Sequence, residues 1–127
     1  MFKLTSKQEI DINAPLKPGV YRIYWIKNGK PQMINRLASS DKSGLLYIGK
    51  TDGTLRKRLN EFRCSAFINS TNHSAGLKHR LNIVLKTLIK ADELYVEIDP
   101  CDRSSIKETE ELKKYALIYG EVPPLNG

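Results

Sequence analysis

Leu45-Leu46-Tyr47-Ile48-Gly49-Lys50 is the stretch on which the fold turns. Its apolar and aromatic residues stop at a glycine, which reads as a short strand ending where another group can approach the backbone. Upstream, Gly19-Val20-Tyr21-Arg22-Ile23-Tyr24-Trp25-Ile26 has the same make-up and runs into Asn28-Gly29, a strong hairpin-turn pair. Two neighbouring strands are expected, each carrying a tyrosine near a glycine: Tyr21 with Gly19, and Tyr47 with Gly49. Between them lies a polar, basic segment from Lys30 to Ser43 in which Ile34 and Leu37 are embedded.

Downstream the apolar period lengthens from strand to helix. Thr54 suits an N-cap, and Leu55, Leu59, Phe62 and Ala66 recur at steps of four and three. Leu77, Leu81, Val84, Leu85, Leu88 and Ile89 make the continuous face of a second helix. Leu94-Tyr95-Val96-Glu97-Ile98 alternates as a third strand closed by Pro100, and a last helix runs from about Ser105 to Tyr119, ending at Gly120. Pro15 and Pro18 bracket an extended entry, so residues 1–18 are expected as an irregular arm or short strand and residues 19–127 as the domain. The order predicts an α/β protein of the α+β kind, a small three-stranded, mostly antiparallel sheet flanked by helices.

At 127 residues the chain is the size of one domain, so any specificity is expected from that domain or from oligomerisation. Lys and Arg number 21 against 14 Asp and Glu, a net charge of +7. The excess is uneven: Met1 to Asp92 holds 17 basic and 6 acidic residues, whereas Glu93 to Gly127 holds 4 and 8. A basic body suits a polyanion such as DNA, and the plain alternative is a solubilising surface. The Lys30–Ser43 segment is accordingly read as a solvated ribbon first and as a reach toward a DNA groove second. Cys64 and Cys101 come with no signal peptide and no membrane-spanning run, which points to reduced thiols in a cytoplasmic protein. Their spacing with His73 and His79 fits no zinc pattern.

Two charged residues sit where apolar ones are expected. At about 100° per residue, Glu108 shares a stripe of the last helix with Leu112, Tyr115 and Tyr119. A desolvated carboxylate needs a partner, here either an arginine in a structural ion pair or a divalent metal at the rim of the core. Arg58 borders the buried stripe of the first long helix, where a guanidinium either snorkels to water or forks onto a phosphate. A strand tyrosine alone usually packs with its hydroxyl satisfied.

Taken together, Gly19-Val20-Tyr21, Tyr47-Ile48-Gly49-Lys50, Arg58, Glu108 and Asn126 after Pro123-Pro124-Leu125 resemble the GIY-YIG nuclease family, in order and on the matching strands and helices. The resemblance covers Gly19 to Gly127. It implies a metal-dependent endonuclease that hydrolyses phosphodiester bonds of DNA, duplex or branched. The metal is one Mg²⁺ (or Mn²⁺) per site, held by Glu108 and waters. It makes Tyr21 the base that orients or deprotonates the attacking water, with Tyr47 in support. Lys50 is expected to favour the phenolate, and Arg58 to stabilise charge on the phosphate. Gly19, Gly49 and Asn126 then shape or position the site.

Three features depart from that family. Phe62 stands where many members carry a Tyr or His, which makes His73 a candidate substitute as general acid or base. The segment between the tyrosines is longer than in compact members, and no separate DNA-binding domain is evident. A non-catalytic nucleic-acid-binding module on the same scaffold is the alternative function, and a small protein-interaction domain is a third. Oligomeric state stays open, a homodimer being one route to a double-strand break.

Overall fold

A computed structural model describes residues 1–67 and 75–126. Along the chain run β1 (Phe2–Lys3), α1 (Lys7–Asn13), β2 (Gly19–Lys27), β3 (Lys30–Pro31), β4 (Ile34–Asn35), β5 (Ser40–Asp41) and β6 (Leu45–Thr51). They are followed by α2 (Leu55–Phe67), α3 (Ala75–Thr87), a short 3₁₀ turn (Ala91–Glu93), β7 (Leu94–Pro100) and α4 (Ser104–Tyr119). The fold is mixed α and β with an antiparallel sheet, as the order of elements predicts. No helix of the described residues is long and apolar enough to cross a membrane.

β2 is central because it is the longest apolar strand and is bordered on both sides. It pairs antiparallel with β7 from Gly19↔Pro100 to Trp25↔Leu94, and with β6 from Gly19↔Thr51 to Tyr24↔Leu45. The sheet is wider than the expected three strands. β1 adds to the far edge of β7, and β3 continues the hairpin beyond the end of β6. Residues 1–18 also contain α1, whose Ser6 hydroxyl accepts the Glu9 N–H at 3.1 Å. Phe2, Leu4, Ile10 and Ala14 bury in the main core.

Side chains of β2 alternate between two cores. Tyr21 and Ile23 face α1, α2 and α3, with Leu55, Leu59 and Phe62 of α2 and Leu77 and Leu81 of α3. Burying each such side chain stabilises by roughly 1.5–3 kcal/mol. Val20 and the β6 residues Leu45 and Ile48 face α4, against Tyr115, Leu112 and Tyr119. The stripe predicted for α4 is therefore real, whereas Leu88, expected on the apolar face of the preceding helix, is exposed. Between Ile23 and Tyr24 the register with β6 shifts. The extra residue, Leu46, packs on the same core as Tyr47, and such a bulge re-aims the side chains beside it.

The basic segment between the tyrosines is neither a free ribbon nor an extended arm. β4 and β5 pair as a small ladder, and three ties hold the segment to the end of α4. Arg36 donates to the Val122 carbonyl at 2.6 Å and pairs with Glu121 at 2.9 Å. The Ala38 N–H meets the Tyr119 carbonyl at 2.9 Å. Fully buried Asp41 accepts the Tyr115 hydroxyl at 2.7 Å, and the Ser43 hydroxyl and N–H at 2.6 and 2.8 Å. Asp41→Ala should cost about 2–4 kcal/mol in denaturant unfolding, because three donors lose their acceptor. Asp41→Asn, which keeps an acceptor oxygen, should recover part of that loss.

Candidate active site

The sheet brings the two tyrosines together on one face. Tyr21 lies opposite Gly49 and Ile23 opposite Tyr47, so the Tyr21 ring crosses over Gly49 toward Tyr47. Their ring centroids are 6.1 Å apart, and Phe62 completes the cluster at 6.3 Å from Tyr21 and 5.8 Å from Tyr47. Gly49 is what permits the crossing. A Cβ there would lie 2.4 Å from Cζ and 2.6 Å from the hydroxyl oxygen of Tyr21, and 2.6 Å from Cε2 of Tyr47. Gly19 has a different reason: a Cβ would meet the Asp99 carbonyl at 2.5 Å and Pro100 Cα at 2.8 Å, so it serves the packing of β7.

Three polar groups gather at this end of β6. The fully buried Tyr21 hydroxyl makes no well-formed hydrogen bond, and its polar neighbours are the Arg58 guanidinium and the Tyr47 hydroxyl, both close enough to act on it. Arg58 Nε is likewise buried and unpaired, and the guanidinium's contact with Glu61 is long at 3.9 Å. Half-buried Glu108 has neither a hydrogen bond nor an ion pair among the described residues. A phenol, a guanidinium and a carboxylate drawn together and partly desolvated are costly to folding, which makes the cluster a candidate site.

Burial dominates the protonation of these groups. It pushes the Tyr21 phenol far above its ordinary value, with Tyr47 and Glu108 adding to the rise and Arg58 opposing it. Tyr47 is raised for the same first reason, with Arg58 and Arg80 opposing. Burial also raises Glu108, against the pull of Lys50. Lys50, expected to lower the Tyr21 phenol, is not among the main influences on it. Lys50 acts on Glu108 instead, and its ammonium is held by Asp52 at 2.8 Å. Arg58 is the cation that favours the phenolate.

Glu108 is also not the carboxylate that takes the structural arginine. Arg22 pairs with Glu111, one turn further along α4, with Glu97 at 3.0 Å and with Asp99 at 3.7 Å. Tyr24 leans on the same cluster, donating to Glu97 at 3.3 Å, and burial beside that carboxylate pushes its phenol up to about 12. Lys107 pairs with Asp99. Of the two readings open for a carboxylate on this stripe, the ion pair thus belongs to Glu111.

What aims Glu108 is the start of its helix. The Ser104 hydroxyl, one turn before it, lies 2.9 Å from the Asp52 carboxylate and 3.0 Å from the Thr51 carbonyl, fastening α4 to the end of β6. Neither Ser104 nor Asp52 stands out in the sequence, since a serine opening a helix reads as a cap. Asn126 sits where expected and closes the outer edge of β6. Its amide accepts from Ile48 N–H at 2.9 Å and donates to Ile48 C=O at 2.8 Å, beside Gly49. Leu125 N–H adds a bond to Leu46 C=O at 2.8 Å, and Arg80 holds the Leu125 carbonyl at 2.9 Å.

Lys50, Asp52 and Arg58 open onto a cleft of about 350 Å³ at the surface. Among the described residues there is no cluster of three or more His, Cys, Asp and Glu side chains. A single carboxylate completed by waters and substrate oxygens is nevertheless a normal binding mode for Mg²⁺, and Glu108, which has no ion pair among the described residues although Lys50 acts on it, fits it. His73 lies outside the described residues, as does the side chain of His79. No family model matches the chain, and no curated protein or solved structure matches it.

Proposed function

We propose that this protein is a metal-dependent endonuclease hydrolysing DNA phosphodiester bonds. The observation that carries the reading is the convergence of the buried Tyr21 hydroxyl, the Arg58 guanidinium and the Glu108 carboxylate, which has no ion pair among the described residues, beside a solvent-open cleft that Arg58 lines. The resemblance of the residues around them to the GIY-YIG nucleases gives the convergence a chemistry. So does the basic character of the body that surrounds them.

In this reading Glu108 holds one Mg²⁺ (or Mn²⁺), which supplies Lewis-acid stabilisation to the phosphate when bound. Arg58, which lines the cleft and contacts Glu61 only at 3.9 Å, presents its guanidinium to the phosphate oxygens, where charge builds as the bond breaks. Tyr21, protonated at rest by its burial, orients the attacking water through its hydroxyl oxygen, and Arg58 is the cation that favours the phenolate, the form that would accept the water's proton. Tyr47 packs against Tyr21 and fixes the ring. Phe62 holds both rings from below and contributes no proton.

Supercoiled plasmid provides the test. Purified protein with Mg²⁺ or Mn²⁺ should convert it to nicked or linear forms, and a chelator should stop the reaction. Intact plasmid across metals, and across duplex and branched substrates, would overturn the proposal. Salt-sensitive DNA binding without any turnover would instead identify the non-catalytic module.

A further inference from the structure

The cleft beside Arg58 does not end there. Thr54, Lys57 and Glu61 line both that cleft and a second groove of about 420 Å³, which runs between α2 and the N-terminal residues. The second groove is walled by exposed Leu16 and by the stems of Arg56, Lys57 and Arg63. Its floor is thus largely apolar and its rim cationic, a match for a nucleotide strand whose sugars and bases pack inward while phosphates face the rim. Two of the rim cations are already committed within the protein: Arg56 Nε donates to the Ala14 carbonyl at 2.9 Å, and Lys7 pairs with Asp11. Lys57 has no ion pair among the described residues; Arg63 has none either, its guanidinium donating only to Cys64 Sγ at 3.6 Å while its Nε is buried without a partner.

Resting on the nuclease reading, we propose that this groove is the track for the DNA strand next to the scissile phosphate, with Lys57 and Arg63 contacting its backbone. Residues 1–18 thereby belong to the substrate site through Leu16 and the α1 wall, and are more than an arm. The order of the cations along the surface, Lys50 and Arg58 in the cleft, Lys57 at the junction, Arg63 beyond, sets the path. Phosphate contacts of this kind give affinity and register without sequence preference.

Binding of a labelled duplex, titrated with salt, tests the track independently of catalysis when every protein carries Glu108→Ala. Lys57→Ala and Arg63→Ala should each weaken binding by roughly threefold to tenfold, and each should lower the slope of log affinity against log salt by about 1. Lys57→Arg should restore both. Lys113→Ala with Lys114→Ala, on the outer side of α4, should leave affinity and slope unchanged, and thermal unfolding checks that each variant is folded. Equal affinity and slope for the Lys57 and Arg63 variants, an equal loss in the α4 control, or no binding by the parent at low salt would each overturn the track. If the pattern appears but the wild-type protein cuts nothing, the nuclease reading fails and the track stands. If it cuts and the pattern is absent, only the track fails.

Discussion

Glu108→Ala is expected to lower metal-dependent cleavage by roughly a thousandfold or more while leaving the protein as stable as the wild type or more so. The two halves of that expectation come from one fact. Glu108 is half-buried with no cation paired to it, and burial raises its proton affinity, so in the free protein the carboxylate carries a desolvation penalty and returns nothing to folding. Removing it relieves the penalty and, on the proposed reading, removes the ligand that holds the metal. Glu111→Ala makes the contrast: it leaves Arg22 short of its partner on the same helix and should cost about 1–3 kcal/mol in urea unfolding, with cleavage reduced far less. Arg58→Ala should reduce cleavage roughly 10²–10³-fold. Because the proposed mechanism has Arg58 and Glu108 act on one phosphate, the double variant should be little worse than the poorer single. Glu108→Ala that unfolds the protein, or that cuts at the wild-type rate, would remove the assignment.

The scaffold of this site was legible because its signals are local. The strands around Tyr21 and Tyr47, the Thr54 cap and the left-handed Gly120 are each set by a few adjacent residues; the Lys57 N–H indeed reaches Thr54 Oγ1 at 3.2 Å, and Gly120 has φ +82°. The one local signal passed over was Ser6-Lys7-Gln8-Glu9, a serine followed three residues later by glutamate, which starts α1. Periodicity also placed Glu108 and Arg58 beside their cores. It did not say which carboxylate on α4 meets an arginine, because Glu108 and Glu111 lie on nearly the same face and the choice is made by Arg22 on a strand far away in sequence. The same limit hid Ser104, Asp52 and the folding of residues 30–43 onto α4. Each depends on a partner more than 50 positions distant.

Gly49→Ala should separate stability from activity most sharply among single changes at the tyrosines. The added methyl has nowhere to go. The nearest atoms are 2.4 Å and 2.6 Å away on the Tyr21 ring and its hydroxyl, and 2.6 Å away on Tyr47, and Tyr21 is fully buried with Phe62 set edge-on behind it. The Asn126 amide fixes β6 itself at Ile48, so the strand cannot easily retreat. Relief must come from the rings, at an overpacking cost of about 1–3 kcal/mol. Gly53→Ala, whose Cβ would meet nothing closer than Thr51 Oγ1 at 3.5 Å, should change stability by no more than about 0.5 kcal/mol. Displacement of the Tyr21 hydroxyl by an ångström or so should meanwhile cost roughly a hundredfold in cleavage, since in the proposed mechanism water attack depends on its position. Tyr21→Phe distinguishes the cause. It removes only a buried hydroxyl that makes no well-formed hydrogen bond and should change stability by no more than about 1 kcal/mol, yet it should cut no better than Gly49→Ala. Wild-type cleavage by Tyr21→Phe would mean that Gly49 guards only the packing of two rings, and that the attacking water is oriented by another group.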